Sequence, residues 1–219
     1  MSVREKFDFE LKSAQEELIS LSTMAVNALN KSMEALVSQD VDAALEVIED
    51  DKDINQLEEF INDRVILMIA KQSPVATDLR RLIVTIKVAS DMERVGDYAV
   101  NIAKETIRIG NQELLPQIAQ IQQMQKLAVA MLRQVIDAFV EEDIVKAKEI
   151  AELDDQVDGL YGDVIRKLMR AGGENPDRLS QITQLAFISR YMERSADHAT
   201  NIAEQLFYLV RGQHYDLNK

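Results

Sequence analysis

The residues best suited to chemistry in this sequence occur twice. Met92-Glu93-Arg94-Val95-Gly96-Asp97-Tyr98-Ala99-Val100-Asn101-Ile102-Ala103 recurs 100 residues later as Met192-Glu193-Arg194-Ser195-Ala196-Asp197-His198-Ala199-Thr200-Asn201-Ile202-Ala203, with eight of the twelve positions identical. Two unrelated amphipathic helices would share apolar positions. They would not share the ladder Glu-x-x-x-Asp-x-x-x-Asn, because any polar residue keeps a helix face soluble. Glu93 with Asp97, and Glu193 with Asp197, thus mark a duplicated acidic site. Each pair lies on one helix face, roughly 6 Å apart.

Each pair has a facing counterpart. Asp51 with Asn55 recurs at an offset of 103 as Asp154 with Asp158. One acid of each pair, Glu93 and Asp51 and their counterparts Glu193 and Asp154, lies on a helical stripe that is otherwise largely apolar or small. One runs Leu79, Leu82, Ile86, Ala89, Glu93, Gly96, Val100, Ala103, Ile107, and its repeat runs Leu179, Ile182, Ala186, Ser189, Glu193, Ala196, Thr200, Ala203, Phe207. The facing stripes are Ala44, Val47, Asp51, Ile54, Glu58, Ile61, Val65, Met68 and Ala147, Ile150, Asp154, Val157, Tyr161, Val164, Leu168, Ala171. A carboxylate on a packing seam is expensive to desolvate without a positive partner. Oxygen-only ligand sets favour magnesium, calcium or manganese and are compatible with carboxylate-bridged iron. Gly96 and Ala196 leave room beside each pair for the neighbouring helix. The alternative is a charged face neutralised by Arg94, Arg194 or Lys104, with no metal.

Other chemistry is excluded or thinly supported. With no cysteine there is no thiolate nucleophile, disulfide or zinc finger, which fits a reducing compartment. No phosphate loop or dinucleotide glycine motif occurs. Di-iron bundles need Glu-x-x-His pairs, yet Ser195 and Arg211 stand three residues before His198 and His214, the two histidines. His198 replaces Tyr98 and falls outside the shared set, and Asn101 and Asn201 read as hydrogen-bonders between helices. A carboxylate-metal hydrolase or oxidase therefore ranks below a binding or regulatory role, and the expectation is no enzyme.

The elements that must position these acids are legible from punctuation. Seven glycines and three prolines in 219 residues leave long uninterrupted runs, and 47% hydrophobic with 29% charged residues is the composition of a folded helical protein. The first helix is expected from about Arg4 to Val37 and the second from Val41 to Lys71, opened by Asp40. Ser73-Pro74 reads as the cap and first turn of the third, which Gly110 closes. The fourth is expected from Glu113 to Val140, the fifth after Asp143 to Gly172-Gly173, and the sixth from Asn175-Pro176 to Gly212. Met24, Leu29 and Leu36 match Leu127, Leu132 and Phe139, so the duplication spans the chain. The predicted fold is all-α, two tandem antiparallel three-helix bundles occupying 1–110 and 111–219, joined by a bend at 110–113.

A net charge of 25 − 38 = −13 opposes direct nucleic-acid binding and suits cations or basic protein faces. The charged start Met1-Ser2-Val3-Arg4-Glu5-Lys6 lacks a leader's apolar stretch, and runs such as Val65-Ile66-Leu67-Met68-Ile69-Ala70 are too short to span a bilayer. The expected location is cytoplasmic, without membrane insertion.

The duplicated Met-Glu-Arg-x-x-Asp-x-x-x-Asn-Ile-Ala resembles the PhoU family of phosphate-uptake regulators. So do Ile48-Glu49-Asp50-Asp51-Lys52-Asp53-Ile54-Asn55 and Ala70-Lys71-Gln72-Ser73-Pro74-Val75-Ala76-Thr77-Asp78-Leu79-Arg80. The resemblance covers essentially the whole chain. It implies two similar three-helix bundles side by side, with iron or zinc-type clusters on acidic motifs that map onto Glu93, Asp97, Glu193 and Asp197, and onto Asp51, Asn55, Asp154 and Asp158. Asn55 leaves the first set one negative charge poorer. The resemblance further implies a negative regulator of phosphate uptake and phosphate-starvation signalling. Its partners would be the ATPase subunit of the phosphate ABC transporter and a sensor histidine kinase, and it would form a homodimer.

Overall fold

A computed structural model describes residues 3–217; Met1 and Ser2, part of the start read above for a leader, lie outside them. Six long helices follow in order: α1 (Val3–Ser38), α2 (Val41–Gln72), α3 (Ala76–Ile109), α4 (Ile118–Glu141), α5 (Ile144–Glu174) and α6 (Leu179–Arg211), with a 3-10 turn at Pro176–Arg178 before α6. No helix among the described residues is long and apolar enough to cross a membrane.

Packing follows the duplication. α1, α2 and α3 pack on one another, α4, α5 and α6 do likewise, and α3 meets α6 while α1 meets α4. α2 and α5 touch only helices of their own half, so they sit on the outside. Burial tracks that position. α2 buries one stripe, Ala44, Val47, Ile54, Ile61, Val65 and Met68. α3 has neighbours on three sides and also buries Val84, Val88, Met92, Val95, Ala99 and Ile102. A single heptad stripe misses that second face, because it describes a helix with one partner. One apolar core runs through all six helices.

α3 and α6 cross antiparallel about an approximate two-fold axis. Tyr98 stacks on Tyr191 with ring centroids 5.9 Å apart, and His198 Nδ1 lies 2.7 Å from Asp91 Oδ1. Positions 91 and 191 are repeat equivalents, as are 98 and 198, so each contact is the other's image with different chemistry.

The turns explain which boundaries were legible. Asp40 accepts from the Ala43 N–H, and Asp143 accepts from the Val145 and Lys146 N–H groups, so both caps form as expected. Ser73 does not open α3. It closes α2 in a left-handed conformation (φ 46°), and Val75 holds the N-cap position of α3 without a side-chain hydrogen bond. α5 runs on through Gly172-Gly173 to Glu174, and Pro176 opens the 3-10 turn instead of α6 itself. α4 starts at Ile118, later than Glu113, because Pro116 lacks an N–H and disfavours helix in the residue before it.

The stretch between the halves is pinned from both sides. Gln39 Nε2 donates to the carbonyls of Gly110 (2.8 Å) and Gln112 (2.5 Å). From α6, Gln181 Nε2 donates to the Glu113 carbonyl and its Oε1 accepts from the Leu115 N–H, both at 3.0 Å. Gln181 is buried, so replacing it strands the Leu115 N–H, while the Glu113 carbonyl keeps its bond from Arg178 at 2.7 Å. Gln181→Leu is expected to cost about 1–3 kcal/mol, read by circular dichroism as a fall in Tm of roughly 2–4 °C per kcal/mol. An unchanged Tm would show that the pin contributes nothing.

Candidate metal centres

The first acidic seam lies between α2 and α3. Gly96 makes it narrow: a Cβ there would come within 3.1 Å of Ile54 Cδ1 and 3.3 Å of Asp51 Oδ1. Asp51 is thereby held beside the Glu93–Asp97 pair. Asn55 Nδ2 donates to Asp51 Oδ2 at 3.1 Å. Arg94 reaches Asp97 at 2.8 Å and Glu93 at 3.6 Å. Two oxygens remain buried without any hydrogen-bond partner, Asp51 Oδ1 and Asn55 Oδ1. Burial raises the Glu93 pKa, reinforced by repulsion from Asp97, Glu58 and Asp51. Asp51 is also raised, first by burial and then by Asp97, against the Asn55 hydrogen bond and Lys104.

The second seam, between α5 and α6, is built from Asp154, Asp158, Glu193 and Asp197. Asp154 is 5% exposed and Glu193 9%. Asp154 Oδ1 and Glu193 Oε2 are buried without a partner, while Glu193 Oε1 accepts from Arg190. Arg194, the counterpart of Arg94, stands back at 4.0 Å from Asp197 and donates to the Tyr98 hydroxyl of the other half at 3.4 Å. Burial, then repulsion from Asp197 and Asp158, lifts the Asp154 carboxyl to about 6 against the Thr200 hydroxyl. Burial and the Asp197 charge lift Glu193 to about 7 against Arg190 and Arg194. Asp197 is raised too, by burial first, with Arg194 opposing and Asp158 adding.

The predicted residues thus gather into two groups, one per half, and the electrostatic crowding is mutual within each. Asp158 alone of the eight is exposed. Among the described residues no three Asp, Glu or His side chains form a group that could hold a metal ion as they stand. Ligation would require rotation away from Asn55, Arg94 and Arg190. The orphaned buried oxygens and the all-oxygen donor set fit a hard or borderline cation, and the arginines already offset part of the charge.

Residue spacing alone missed three participants. Thr200, which replaces Val100, has its hydroxyl buried beside Asp154 in the second seam. Its signal was the exchange of an apolar for a hydroxyl residue within the duplicated stripe. Glu58 adds its charge to Glu93, and Arg190 pairs with Glu193. Neither histidine joins the acids: His198 faces Asp91, and His214 stacks on Tyr208 at 4.4 Å. Asn101 is half-buried and Asn201 exposed, and among the described residues neither side chain hydrogen-bonds between helices.

A duplicated six-helix bundle that presses a Glu-x-x-x-Asp pair into a seam in each half defines a class of tandem-repeat, all-helical proteins with twin acidic sites. The PhoU domain matches residues 18–106 and again 121–206, and the chain belongs to the PhoU domain family. It is 36% identical over 216 residues to the phosphate-specific transport system accessory protein PhoU homolog of Clostridium acetobutylicum, covering 98% of this chain and 99% of that relative. It is 32% identical over 210 residues to the phosphate-specific transport system accessory protein PhoU of Escherichia coli, covering 96% and 87%. The crystal structure of PhoU from Pseudomonas aeruginosa superposes with a TM-score of 0.90 at 31% identity, covering 94% of this chain and 100% of that one. That of the phosphate transport system regulatory protein PhoU from Streptococcus pneumoniae superposes at 0.88 and 32%, covering 96% and 99%.

The raised carboxyls set the pH dependence of the metal-free protein. Asp154 and Glu193 bind protons more tightly folded than unfolded. Their contribution to stability is therefore full below about pH 4 and is lost as pH rises through about 6 and 7. In chelator-treated protein at pH 8, Asp154→Asn and Glu193→Gln are each expected to stabilise, by on the order of 3 kcal/mol at most. The gain should fade as pH falls toward 4 in urea-unfolding curves. Variants less stable than wild type at pH 8 would show that Arg190 and Arg194 compensate these acids in full.

Proposed function

We propose that this chain is a cytoplasmic accessory regulator that restrains phosphate uptake and phosphate-starvation signalling, acting by contact and not by catalysis. It carries divalent or higher-valent cations in its two acidic seams. End-to-end similarity to proteins named as phosphate-specific transport system accessory proteins supports the role in phosphate transport. The observation that carries the metal reading is the set of buried carboxylate oxygens without partners, Asp51 Oδ1 in one seam and Asp154 Oδ1 and Glu193 Oε2 in the other. Asp51, Asn55, Glu93 and Asp97 would hold one centre, and Asp154, Asp158, Glu193 and Asp197 the other. Iron or zinc follows from the family resemblance, and magnesium, manganese or calcium suits the same oxygens. A bound cation would offset the repulsion within each seam and fix α2 against α3 and α5 against α6. The rigid acidic faces would then dock the ATPase subunit of the phosphate ABC transporter and a sensor histidine kinase, with the chain as a homodimer.

A second reading is a metal-independent scaffold whose acids meet basic partner surfaces. The Arg94 and Arg190 ion pairs favour it, because they occupy oxygens that a cation would need.

The two readings separate on one pair of variants. Glu93→Gln with Glu193→Gln should lose metal, by elemental analysis of protein purified without chelator, at unchanged helix content. Equal metal in wild type and variant would leave the scaffold. Deleting the gene should leave phosphate uptake and starvation genes active in phosphate-replete cells, with repression restored by wild type and not by the variant. Unchanged uptake and gene output on deletion, in a strain with no second copy, would sink the regulatory role.

A further inference from the structure

We propose that the two acidic seams are unequal and that the α5–α6 seam is the tighter divalent-cation site, with Asp158 and Thr200 as the residues that make it so. The inference rests on the metal reading above and goes beyond it, since a duplicated motif by itself predicts two like sites.

The duplication supplies its own comparison. In the first half Asn55 stands where the second has Asp158, and Val100 where the second has Thr200. Asn55 turns its amide into the seam and donates to Asp51, so one Asp51 oxygen is already satisfied without a cation. Asp51 also feels Lys104, whose counterpart in the second half is Glu204. Asp154 has no amide or lysine beside it; its one aid is the Thr200 hydroxyl, set against repulsion from Asp197 and Asp158. It is buried with Oδ1 unpartnered, and the Thr200 hydroxyl, which Val100 cannot supply in the first half, is buried beside it.

The arginines differ in the same sense. Arg94 holds both acids of its own pair, Glu93 and Asp97. Arg194 is drawn away to the Tyr98 hydroxyl and leaves Asp197 at 4.0 Å. Arg190 does bind Glu193, and only one Glu193 oxygen is occupied by it. The first seam has a further acid in Glu58, at the position of Tyr161. Its Oε1 accepts from Asn62 at 2.6 Å, which ties it to its own helix. Each seam keeps unmet buried oxygens, Asp51 Oδ1 and Asn55 Oδ1 in the first against Asp154 Oδ1 and Glu193 Oε2 in the second. One of the first pair belongs to a neutral amide, whereas both of the second belong to carboxylates. A cation entering either seam displaces an arginine, Arg94 or Arg190, but in the second it meets two unpaired carboxylate oxygens in place of one and has no Asn55 amide to turn away.

The test titrates chelator-treated full-length protein with Mn²⁺ alone, by calorimetry and by the electron paramagnetic resonance signal of free Mn²⁺. Wild type should bind one Mn²⁺ per chain at least about tenfold more tightly than a second. Asp154→Asn and Asp158→Asn should each weaken the tight event, while Asp51→Asn leaves it intact. Asn55→Asp with Val100→Thr should tighten the weak event toward the strong one, a gain that misfolding cannot imitate. Two equal sites in wild type, or loss of the tight event in Asp51→Asn, would overturn the inequality and leave the metal reading standing. No Mn²⁺ bound by folded wild type would overturn both.

Discussion

A carboxylate carried into the seam between two helices loses water, and its charge then has to be met by something else in the molecule. That constraint organises the two halves of this protein. Glu93 and Glu193 sit on stripes whose other positions close the core, so Glu193 is buried and Glu93 half-buried. Arginines one turn away, an amide, and in our account a bound cation are the means by which the charge is met. The raised carboxyls of Asp154 and Glu193 record that the protein side chains meet it only in part.

Closeness of the helices is what makes the seams buried at all, and each half achieves it differently. In the first, Gly96 yields to the branched side chain of Ile54. In the second, Ala196 adds a methyl where Val157 lacks the terminal carbon of Ile54. The volumes exchange across the interface, as expected of a densely packed core that diverged after duplication. The polar positions diverged with them, Asn55 against Asp158 and Val100 against Thr200, so divergence in packing and in donor set occurs on the same helix faces.

Much of this was legible in the sequence because it was written twice. The stripe through Asp51 and Glu58 coincides with the buried face of α2, since an outer helix has one apolar face and a heptad reading finds it. For α3 and α6 the same reading found the acids but not the second buried face, which exists only because the halves pack together through these helices. Asp40 and Asp143 were readable as caps from local chemistry. Ser73 was not, because a serine before proline serves equally as the end of one helix, and the left-handed turn that decides between them is set by how α2 and α3 dock. The partners of Arg194 and His198 lie across the seam between halves, and no spacing within one helix encodes them.

The central claim is that the unmet buried oxygens are cation ligands, and its most direct measurement is crystallographic. Crystals grown with Mn²⁺ and measured at the manganese absorption edge should give an anomalous peak among Asp154, Glu193 and Asp197, with Arg190 turned away from Glu193. A weaker peak should lie beside Asp51, Glu93 and Asp97. An ordered second seam with Arg190 still on Glu193, a water on Asp154 Oδ1 and no anomalous density at saturating Mn²⁺ would contradict the account.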